Sequence, residues 1–130
     1  MSHDNVELMR RSIEHFAATG EPLMATLAGD VEVYDHDIPD AGVYRGPDGF
    51  IRWVADWSEA WDEFSMTPER WIDAGDKVVL ILTMTCTGKG SGLKIERRDG
   101  MVWTIVDGTV LRVDYYNNEA QALEAAGVEQ

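Results

Sequence analysis

Three adjacent titratable residues, Asp35, His36 and Asp37, follow a short stretch in which apolar and polar residues alternate as in a β-strand. A carboxylate at the inner end of a strand, beside an apolar pocket, can act as a general base on a proton next to a carbonyl group. Because successive side chains of a strand point to opposite faces, Asp35 and His36 cannot both point directly into one pocket. Both are therefore candidate catalytic residues, and a loop cap or a surface ion pair is the alternative for each.

A second group of polar residues lies in segment 111–116, where two sets of side chains alternate. Arg112, Asp114 and Tyr116 share one face. The opposite face, suited to packing against a helix or a partner subunit, carries Leu111, Val113 and Tyr115. If the polar set lines a pocket, Asp114 is a further candidate base and Arg112 and Tyr116 are candidate substrate contacts. A structural ion pair between Arg112 and Asp114 is the alternative. Depending on which face points inward, Tyr34 or Tyr116 could polarise a substrate oxygen.

Aromatic residues recur at helical spacing between these two segments. They are Phe50, Trp53, Trp57, Trp61 and Phe64. Such a stripe usually packs in the core of a protein. Because a wide sheet fills incompletely, we expect one indole, that of Trp53 or Trp57, to reach the wall of a pocket and contact a ligand.

Composition excludes several classes of partner. Acidic residues outnumber basic ones 24 to 11, and the formal net charge is -13, so a nucleic-acid or anionic-membrane partner is not expected. The longest strongly apolar run, 78–82, is far shorter than a membrane span. The N-terminus lacks the pattern of a signal peptide, and we expect a cytoplasmic protein.

Cys86 is the single cysteine and is expected to be a small buried residue.

No cofactor or metal is expected. His3, His15 and His36 share no spacing typical of metal ligands. The glycine-rich segment 88–92 lies in a predicted hairpin rather than before a helix, so it does not indicate a phosphate-binding loop.

The elements that must position these residues follow from periodicity and from turn residues. The first predicted helix is capped by Ser2 or Asp4 and ends at Gly20. Further helices are predicted over 23–28, about 47–64 and 119–126. The predicted strands are 31–35, 71–74, 77–87, 93–106 and 109–116. Helices followed by a run of strands indicate an α+β domain. A curved antiparallel sheet wrapped around the long third helix would form a cone with an open mouth.

Segments 7–11, 42–46, 72–79 and 102–108, in this order, resemble the SnoaL-like family of the nuclear transport factor 2-like superfamily. The resemblance covers nearly the whole chain and implies a single domain, 1–130, with the cone-shaped α+β fold also called a cystatin-like roll. That superfamily includes polyketide cyclases, ketosteroid isomerase, limonene epoxide hydrolase, dehydratases and non-catalytic binding modules, so the fold does not select one function.

The resemblance can be followed residue by residue. Asp35 occupies the position of the general base of ketosteroid isomerase, and Asp99 or Gly100 falls near its second oxyanion donor. Ser12, however, stands where that enzyme has its oxyanion tyrosine. This departure argues against steroid isomerisation and leaves Asp99 as a candidate substrate contact.

Limonene epoxide hydrolase is similar in the last strand, where its aspartate matches Asp114. Its arginine and second aspartate fall on Thr83 and Thr85. Two of its three catalytic groups are therefore replaced, which argues against epoxide hydrolysis.

Arg97, Arg98 and Asp99 interrupt a predicted strand, and one arginine must face each side of it. Charges in such a strand favour an exposed sheet face or a subunit interface. A sheet with apolar residues on both faces needs a second cover. We therefore expect a homodimer, with Trp71, Tyr115 and Leu111 as candidate contacts.

Two functions remain open. In the first, the pocket takes a small apolar or aromatic compound with a carbonyl or hydroxyl group. Asp35 or Asp114 then acts as the base of a cofactor-independent isomerase, cyclase or lyase, and Asp35→Asn abolishes turnover with little change in melting temperature. In the second, the chain is a non-catalytic ligand-binding or dimerisation module.

Overall fold

The computed structural model describes residues 2–21, 23–37 and 42–128. The helices are α1 (Ser2–Thr19), α2 (Gly46–Ala60) and α3 (Glu119–Ala125), with a single 3₁₀ turn at Met24–Thr26. The strands are β1 (Leu27–Asp35), β2 (Val43–Arg45), β3 (Trp61–Ala74), β4 (Lys77–Gly88), β5 (Lys94–Val106) and β6 (Thr109–Tyr116). The predicted α+β class is confirmed.

All six strands form one curved sheet in the order β2-β1-β6-β5-β4-β3. Neighbouring strands are antiparallel except β1 and β6, which run parallel with Val33 opposite Val113 and Asp35 opposite Tyr115. This register places Asp35 and Tyr115 side by side on one face of the sheet.

The two faces of the sheet have different covers. α1 and α2 pack against the inner face, and their buried side chains include Met9, Ile13, Trp53 and Trp57. α3 covers part of the outer face, where a smaller cluster contains Val79, Ile81, Val102, Ala122 and Leu123. Both faces are therefore apolar, as expected, but this chain covers part of the outer face itself.

Local residues explain where each helix begins and ends. The amide of Gly20, at φ 75°, donates to the carbonyl of Phe16 at 2.7 Å and ends α1 as predicted. Pro47 lies in the first turn of α2, where a missing amide hydrogen costs nothing. The side chain of Asn118 accepts a hydrogen bond from the amide of Gln121 and caps α3.

Several local predictions were wrong. The helix predicted over 23–28 is a 3₁₀ turn, and β1 already begins at Leu27. The third predicted helix, which is α2 in the structure, ends at Ala60 rather than 64. The chain from Trp61 onward instead forms β3, which pairs with β4 along its whole length. The strand predicted over 71–74 is therefore the end of a strand of 14 residues. A short strand, β2, lies where a loop was predicted, and residues 38–41 of that loop lie outside the described residues.

Among the helices of the described residues, none is both long and apolar enough to cross a membrane.

Candidate ligand-binding site

A cavity of about 70 Å³ lies between α1, α2 and the inner face of the sheet. α1, α2 and the segment between α1 and β1 contribute Met9, Ser12, Ile13, Phe16, Leu23, Thr26, Phe50, Trp53, Val54 and Trp57. The strands contribute Leu27, Phe64, Met66, Met84, Met101, Trp103 and Tyr115. The lining is therefore almost entirely apolar, as in many small-molecule sites.

Four methionines make the wall of this cavity adaptable. Met9, Met66, Met84 and Met101 all line it. The methionine side chain is unbranched and can change rotamer to fit irregular shapes. A cavity of about 150 Å³ is known to accept benzene, so entry of an aromatic ring here would require such rotamer changes.

Two buried polar atoms of lining residues have no hydrogen-bond partner among the residues that the structure describes. Ser12 Oγ belongs to α1 and Trp103 Nε1 to β5, and both residues line the cavity. Ser12 is 8 % exposed and Trp103 is 4 % exposed. Buried polar groups are nearly always hydrogen-bonded, so this pair is an exception that requires a reason.

Asp35 lies directly behind two indoles of the cavity wall. Its Oδ2 accepts hydrogen bonds from Trp53 Nε1 at 2.7 Å and from Trp57 Nε1 at 2.8 Å. Its Oδ1 accepts one from the amide of Asp37 at 3.0 Å. Asp35 is buried but is not among the residues that line the cavity. Two aromatic rings thus separate this carboxylate from the apolar space.

A network around Arg97 lies beside Asp35. Asp35, Asp37, Arg97 and Asp99 are called the polar layer below. Arg97 donates to Asp99 at 2.9 and 3.1 Å and to Asp37 at 3.0 and 3.3 Å, and its guanidinium lies 5.8 Å from the centre of the Trp57 ring. Asp99 is fully buried and also accepts a hydrogen bond from the Tyr115 hydroxyl. Arg97 therefore neutralises two carboxylates, one of which has no contact with solvent.

The electrostatics of this network follow from burial and from the paired charges. Burial and the adjacent Asp99 carboxylate raise the pKa of the Tyr115 hydroxyl well above its usual value, so the hydroxyl keeps its proton. Although burial opposes the charge of Arg97, its hydrogen bonds to Asp99 and Asp37 and their negative charges raise its pKa. Both groups are consequently fixed in one protonation state at neutral pH.

The remaining candidates lie on the other face of the sheet. Arg112 donates to both oxygens of Asp114, at 2.8 and 3.0 Å, and His36 Nε2 lies 2.9 Å from Asp114 Oδ1. The His36 ring stacks on Tyr116 with centroids 4.4 Å apart, and the Arg112 guanidinium lies 3.9 Å from the centre of the Tyr34 ring. The hydrogen bonds to Asp114 raise the pKa of Arg112.

This arrangement corrects the predicted orientation of β6. Val113 and Tyr115 belong to the inner core, so the prediction that Arg112, Asp114 and Tyr116 line the cone is wrong. The physical reason is the parallel register with β1, which aligns Tyr115 with the inward-facing Asp35.

The structure therefore brings together only part of the predicted site. Trp53 and Trp57 both line the cavity, and Asp35 and Asp99 lie in the polar layer near it. Tyr34, His36, Arg112, Asp114 and Tyr116 form a separate outer cluster. A catalytic role for any of them stays a prediction.

Sequence reasoning missed Ser12 and Trp103 as cavity residues. A signal was present for each. Ser12 interrupts the apolar face of α1 next to Ile13, and Trp103 lies two residues from Met101 on the same side of β5. Neither signal reveals that the polar atom lacks a partner, because this depends on residues from distant segments.

The predicted dimer contacts do not form one surface. Tyr115 is buried in the inner core, so its assignment to an exposed face was wrong. Trp71 is half-buried and lies under the Arg10 guanidinium at 5.7 Å. Leu111 is exposed, and the homodimer stays a prediction.

In the part of the chain that the structure describes, no group of three or more His, Cys, Asp or Glu side chains is arranged to hold a metal ion.

Comparison with solved structures supports the fold. An NTF2-like protein of unknown function from Burkholderia pseudomallei is 23% identical, with a TM-score of 0.77 over 92% of this chain and 95% of that one. A candidate SnoaL-like polyketide cyclase from a Jannaschia species is 19% identical, with a TM-score of 0.76 over 99% and 95%. TerC, co-crystallised with polyporic acid, is 20% identical, with a TM-score of 0.74 over 95% and 98%.

No curated protein matches the sequence. A family model described as the SnoaL-like domain matches residues 9–113, a segment that begins within α1 and ends within β6. This match includes α2, β1 to β5 and part of β6, and it agrees with the resemblance seen in the sequence. The chain therefore belongs to the SnoaL-like domain family.

Proposed function

We propose that this protein binds a small, largely apolar compound in the cavity between α1, α2 and the inner face of the sheet. The observation that carries the proposal is an almost entirely apolar cavity whose lining comes from α1, α2 and the inner face of the sheet. TerC, a structural neighbour, was crystallised with polyporic acid, which makes aromatic compounds with oxygen substituents a reasonable first class of ligand.

Binding is better supported than catalysis because the acidic groups are already engaged. Asp35, Asp99 and Asp114 each accept hydrogen bonds from protein donors. None of the three lines the cavity. A general base must reach the proton that it removes, directly or through one water. In the described arrangement these carboxylates hold the wall and the outer face in place.

The test is to fill the cavity from α2. Val54 lines the cavity and is half-buried, so Val54→Phe would place additional carbon atoms in the space that a ligand needs. Val106, exposed at the end of β5, provides the matched control Val106→Phe. Binding of indane, 1-indanone, naphthalene and 2-naphthol can be followed by tryptophan fluorescence and by calorimetry.

We expect at least one of these compounds to bind the wild type and Val106→Phe, and to lose binding in Val54→Phe. Equal binding to all three proteins would place the ligand elsewhere and would contradict the proposal. Absence of binding of every compound to the wild type would contradict the ligand class.

A second candidate function is acid–base catalysis by Asp35. The supporting observation is that its carboxylate accepts hydrogen bonds from the indoles of Trp53 and Trp57, which both line the cavity. Rotation of one indole would expose an oxygen of Asp35 to a bound ketone. Catalytic hydrogen bonds can also be absent or long in an empty site and form when the ligand binds.

Hydrogen–deuterium exchange at the carbon next to the carbonyl of 1-indanone, followed by NMR in heavy water, tests this candidate. Faster exchange with the wild type than with Asp35→Asn would support it. Exchange at the buffer rate while 1-indanone saturates the wild type would exclude it for this class of ketone.

We also propose that the protein is a homodimer, on the basis of the apolar groups on the outer surface, which include Leu111. Sedimentation of a 14.6 kDa species at micromolar concentration would contradict this. The cytoplasmic location stays a prediction that cell fractionation would test.

A further inference from the structure

An open cleft lies beside the outer cluster, on the face of the sheet that α3 partly covers. Its lining residues are His36, Tyr116, Gln121, Glu124 and Ala125. The cleft is open to solvent and has a volume of about 560 Å³, which is enough for a small molecule. The cavity between α1, α2 and the inner face has a different set of lining residues, so the two sites are separate.

One wall of this cleft is an aromatic pair that the protein holds in a fixed orientation. The ring of His36 stacks on that of Tyr116, with centroids 4.4 Å apart and planes 2° from parallel. His36 Nε2 lies 2.9 Å from Asp114 Oδ1, and the His36 amide donates to the carbonyl of Tyr115 at 2.8 Å. Because the ring and the backbone of His36 are both held, a ligand would not have to order this wall on binding.

The group that holds the His36 ring is a buried carboxylate. Asp114 is 6 % exposed, and Arg112 donates to both of its oxygens, at 2.8 and 3.0 Å. A buried ion pair is often no more stabilising than apolar residues of similar volume. The position of this pair beneath the aromatic wall therefore favours a role in holding His36 over a role in stabilising the sheet.

The opposite wall is the flank of α3. Ala122 and Leu123 are buried in the outer apolar cluster and dock this helix on the sheet. Gln121 and Glu124 lie about one turn apart on the neighbouring flank, and both border the cleft. A glutamine amide can donate and accept hydrogen bonds, whereas an ionised carboxylate only accepts them. The helix thus offers two acceptor groups opposite the aromatic wall.

The charges around the cleft favour a cationic ligand. Glu124 brings a negative charge to the lining, while the charge of Arg112 is offset by its ion pair with Asp114. The whole protein has a net charge of -13, and its field attracts cations. Aromatic rings also attract cations through their π electrons. An anion would instead be repelled by Glu124 and by the net charge.

We infer that this cleft is a second ligand site, which takes a small aromatic cation such as an arylamidine or an aromatic amine. The cationic N–H groups donate to Glu124, and the ring of the ligand packs against His36 and Tyr116. This site is independent of the proposed function, because the inner cavity has an almost entirely apolar lining that disfavours a cation.

Benzamidine is the probe, because its amidinium group can donate two hydrogen bonds to one carboxylate and is joined to a flat ring. Benzoate has the same ring with the opposite charge, and benzyl alcohol is neutral. Each compound is titrated into the isotope-labelled full chain, and binding is followed by NMR of the backbone amides. The proteins are the wild type, Glu124→Gln, Tyr116→Leu and the control Glu14→Gln, which makes the same charge change on an exposed residue of α1.

We expect benzamidine to shift the amide signals of His36, Tyr116 and 121–125 in the wild type and in Glu14→Gln, and to bind more tightly than either other compound. Glu124→Gln should weaken binding of benzamidine by roughly three- to tenfold, because a charge-assisted contact is lost. Tyr116→Leu should weaken it by roughly two- to fivefold, because the aromatic ring is removed.

Three outcomes would each overturn the inference. They are benzoate binding as tightly as benzamidine, equal binding of benzamidine to Glu124→Gln and Glu14→Gln, and no shift of any cleft amide at millimolar benzamidine. None of these results bears on the inner cavity, which Val54→Phe tests with neutral compounds. Glu124 is exposed on α3, so Glu124→Gln keeps the test decisive if Tyr116→Leu does not fold.

Discussion

Asp35 is the residue whose replacement tests the polar layer most directly. Its carboxylate accepts hydrogen bonds from Trp53 Nε1, Trp57 Nε1 and the amide of Asp37. The sequence alone suggested that Asp35→Asn would leave the melting temperature nearly unchanged. These three bonds give a different expectation, because the side chain holds two indoles of the cavity wall.

The expected loss of stability follows from the number of hydrogen-bond donors that lose their acceptor. Asparagine has one acceptor oxygen. If that oxygen faces the two indoles, the amide of Asp37 meets an NH₂ group and one buried donor is left unpartnered. If the oxygen faces Asp37, two indoles are left without an acceptor. Each unpartnered donor costs about 1–3 kcal/mol. We therefore expect Asp35→Asn to lose about 1–3 kcal/mol, and Asp35→Ala, which strands all three donors, to lose clearly more.

Urea denaturation followed by tryptophan fluorescence and by circular dichroism measures this series. Asp62, exposed on β3, provides the control Asp62→Asn, which should change stability by less than about 0.5 kcal/mol. In thermal melting, Asp35→Asn should fall by roughly 3–10 °C. If Asp35→Asn is as stable as the control, or Asp35→Ala is no worse than Asp35→Asn, the hydrogen bonds to the indoles do not stabilise the fold and the reasoning is refuted.

Three further predictions concern stability measured by urea denaturation. Arg97→Ala should cost about 3–5 kcal/mol, because it leaves a fully buried carboxylate unpaired, whereas Arg98→Ala removes an exposed ion pair and should cost less than about 1 kcal/mol. Equal losses of stability in Arg97→Ala and Arg98→Ala would contradict the assignment of these two arginines to opposite faces of the sheet. Gly100→Ala should cost about 1–3 kcal/mol, since the added Cβ would lie 2.4 Å from a side chain of α3, while Gly29→Ala meets nothing within 4 Å and should be nearly neutral. Burial and a hydrogen bond to a carboxylate raise the pKa of Tyr44 from 10.0 to about 12, so the stability that its neutral form provides should be lost as pH rises from 10 to 12. Tyr44→Phe should reduce this alkaline loss, and an identical pH profile would disprove the contribution.

The fold was predictable where local signals and tertiary pairing agree. β6 has the predicted bounds because an alternating segment follows the Asp107–Gly108 turn, where Asp107 adopts φ 51° and Gly108 φ 74°. The boundary between α2 and β3 could not be read in the same way. Trp61 and Phe64 continue the helical spacing of the preceding tryptophans, yet aromatic residues also favour strands. The pairing of β3 with β4 decides the conformation, and it involves residues more than ten positions away.

The site was less predictable because it depends on which face of each strand points inward. Alternation in β6 separates two sets of residues without saying which is inside, and both sets contain a tyrosine. The orientation comes from the parallel register with β1, a contact between residues about 80 positions apart. The hydrogen bonds from Trp53 and Trp57 to Asp35 likewise require a helix and a strand to be in place.

The parallel pairing of β1 with β6 also has a consequence for the order of folding. β3 to β6 form a meander in which each strand pairs with the next, so it can assemble early from contacts close in sequence. β1 and β2 join the sheet only through β6, which ends at Tyr116. During synthesis, β1 and β2, including Asp35, must therefore wait for the last strand before they can join the sheet. The tryptophans of α2 stay without their acceptor until then, and the cavity is completed late in folding.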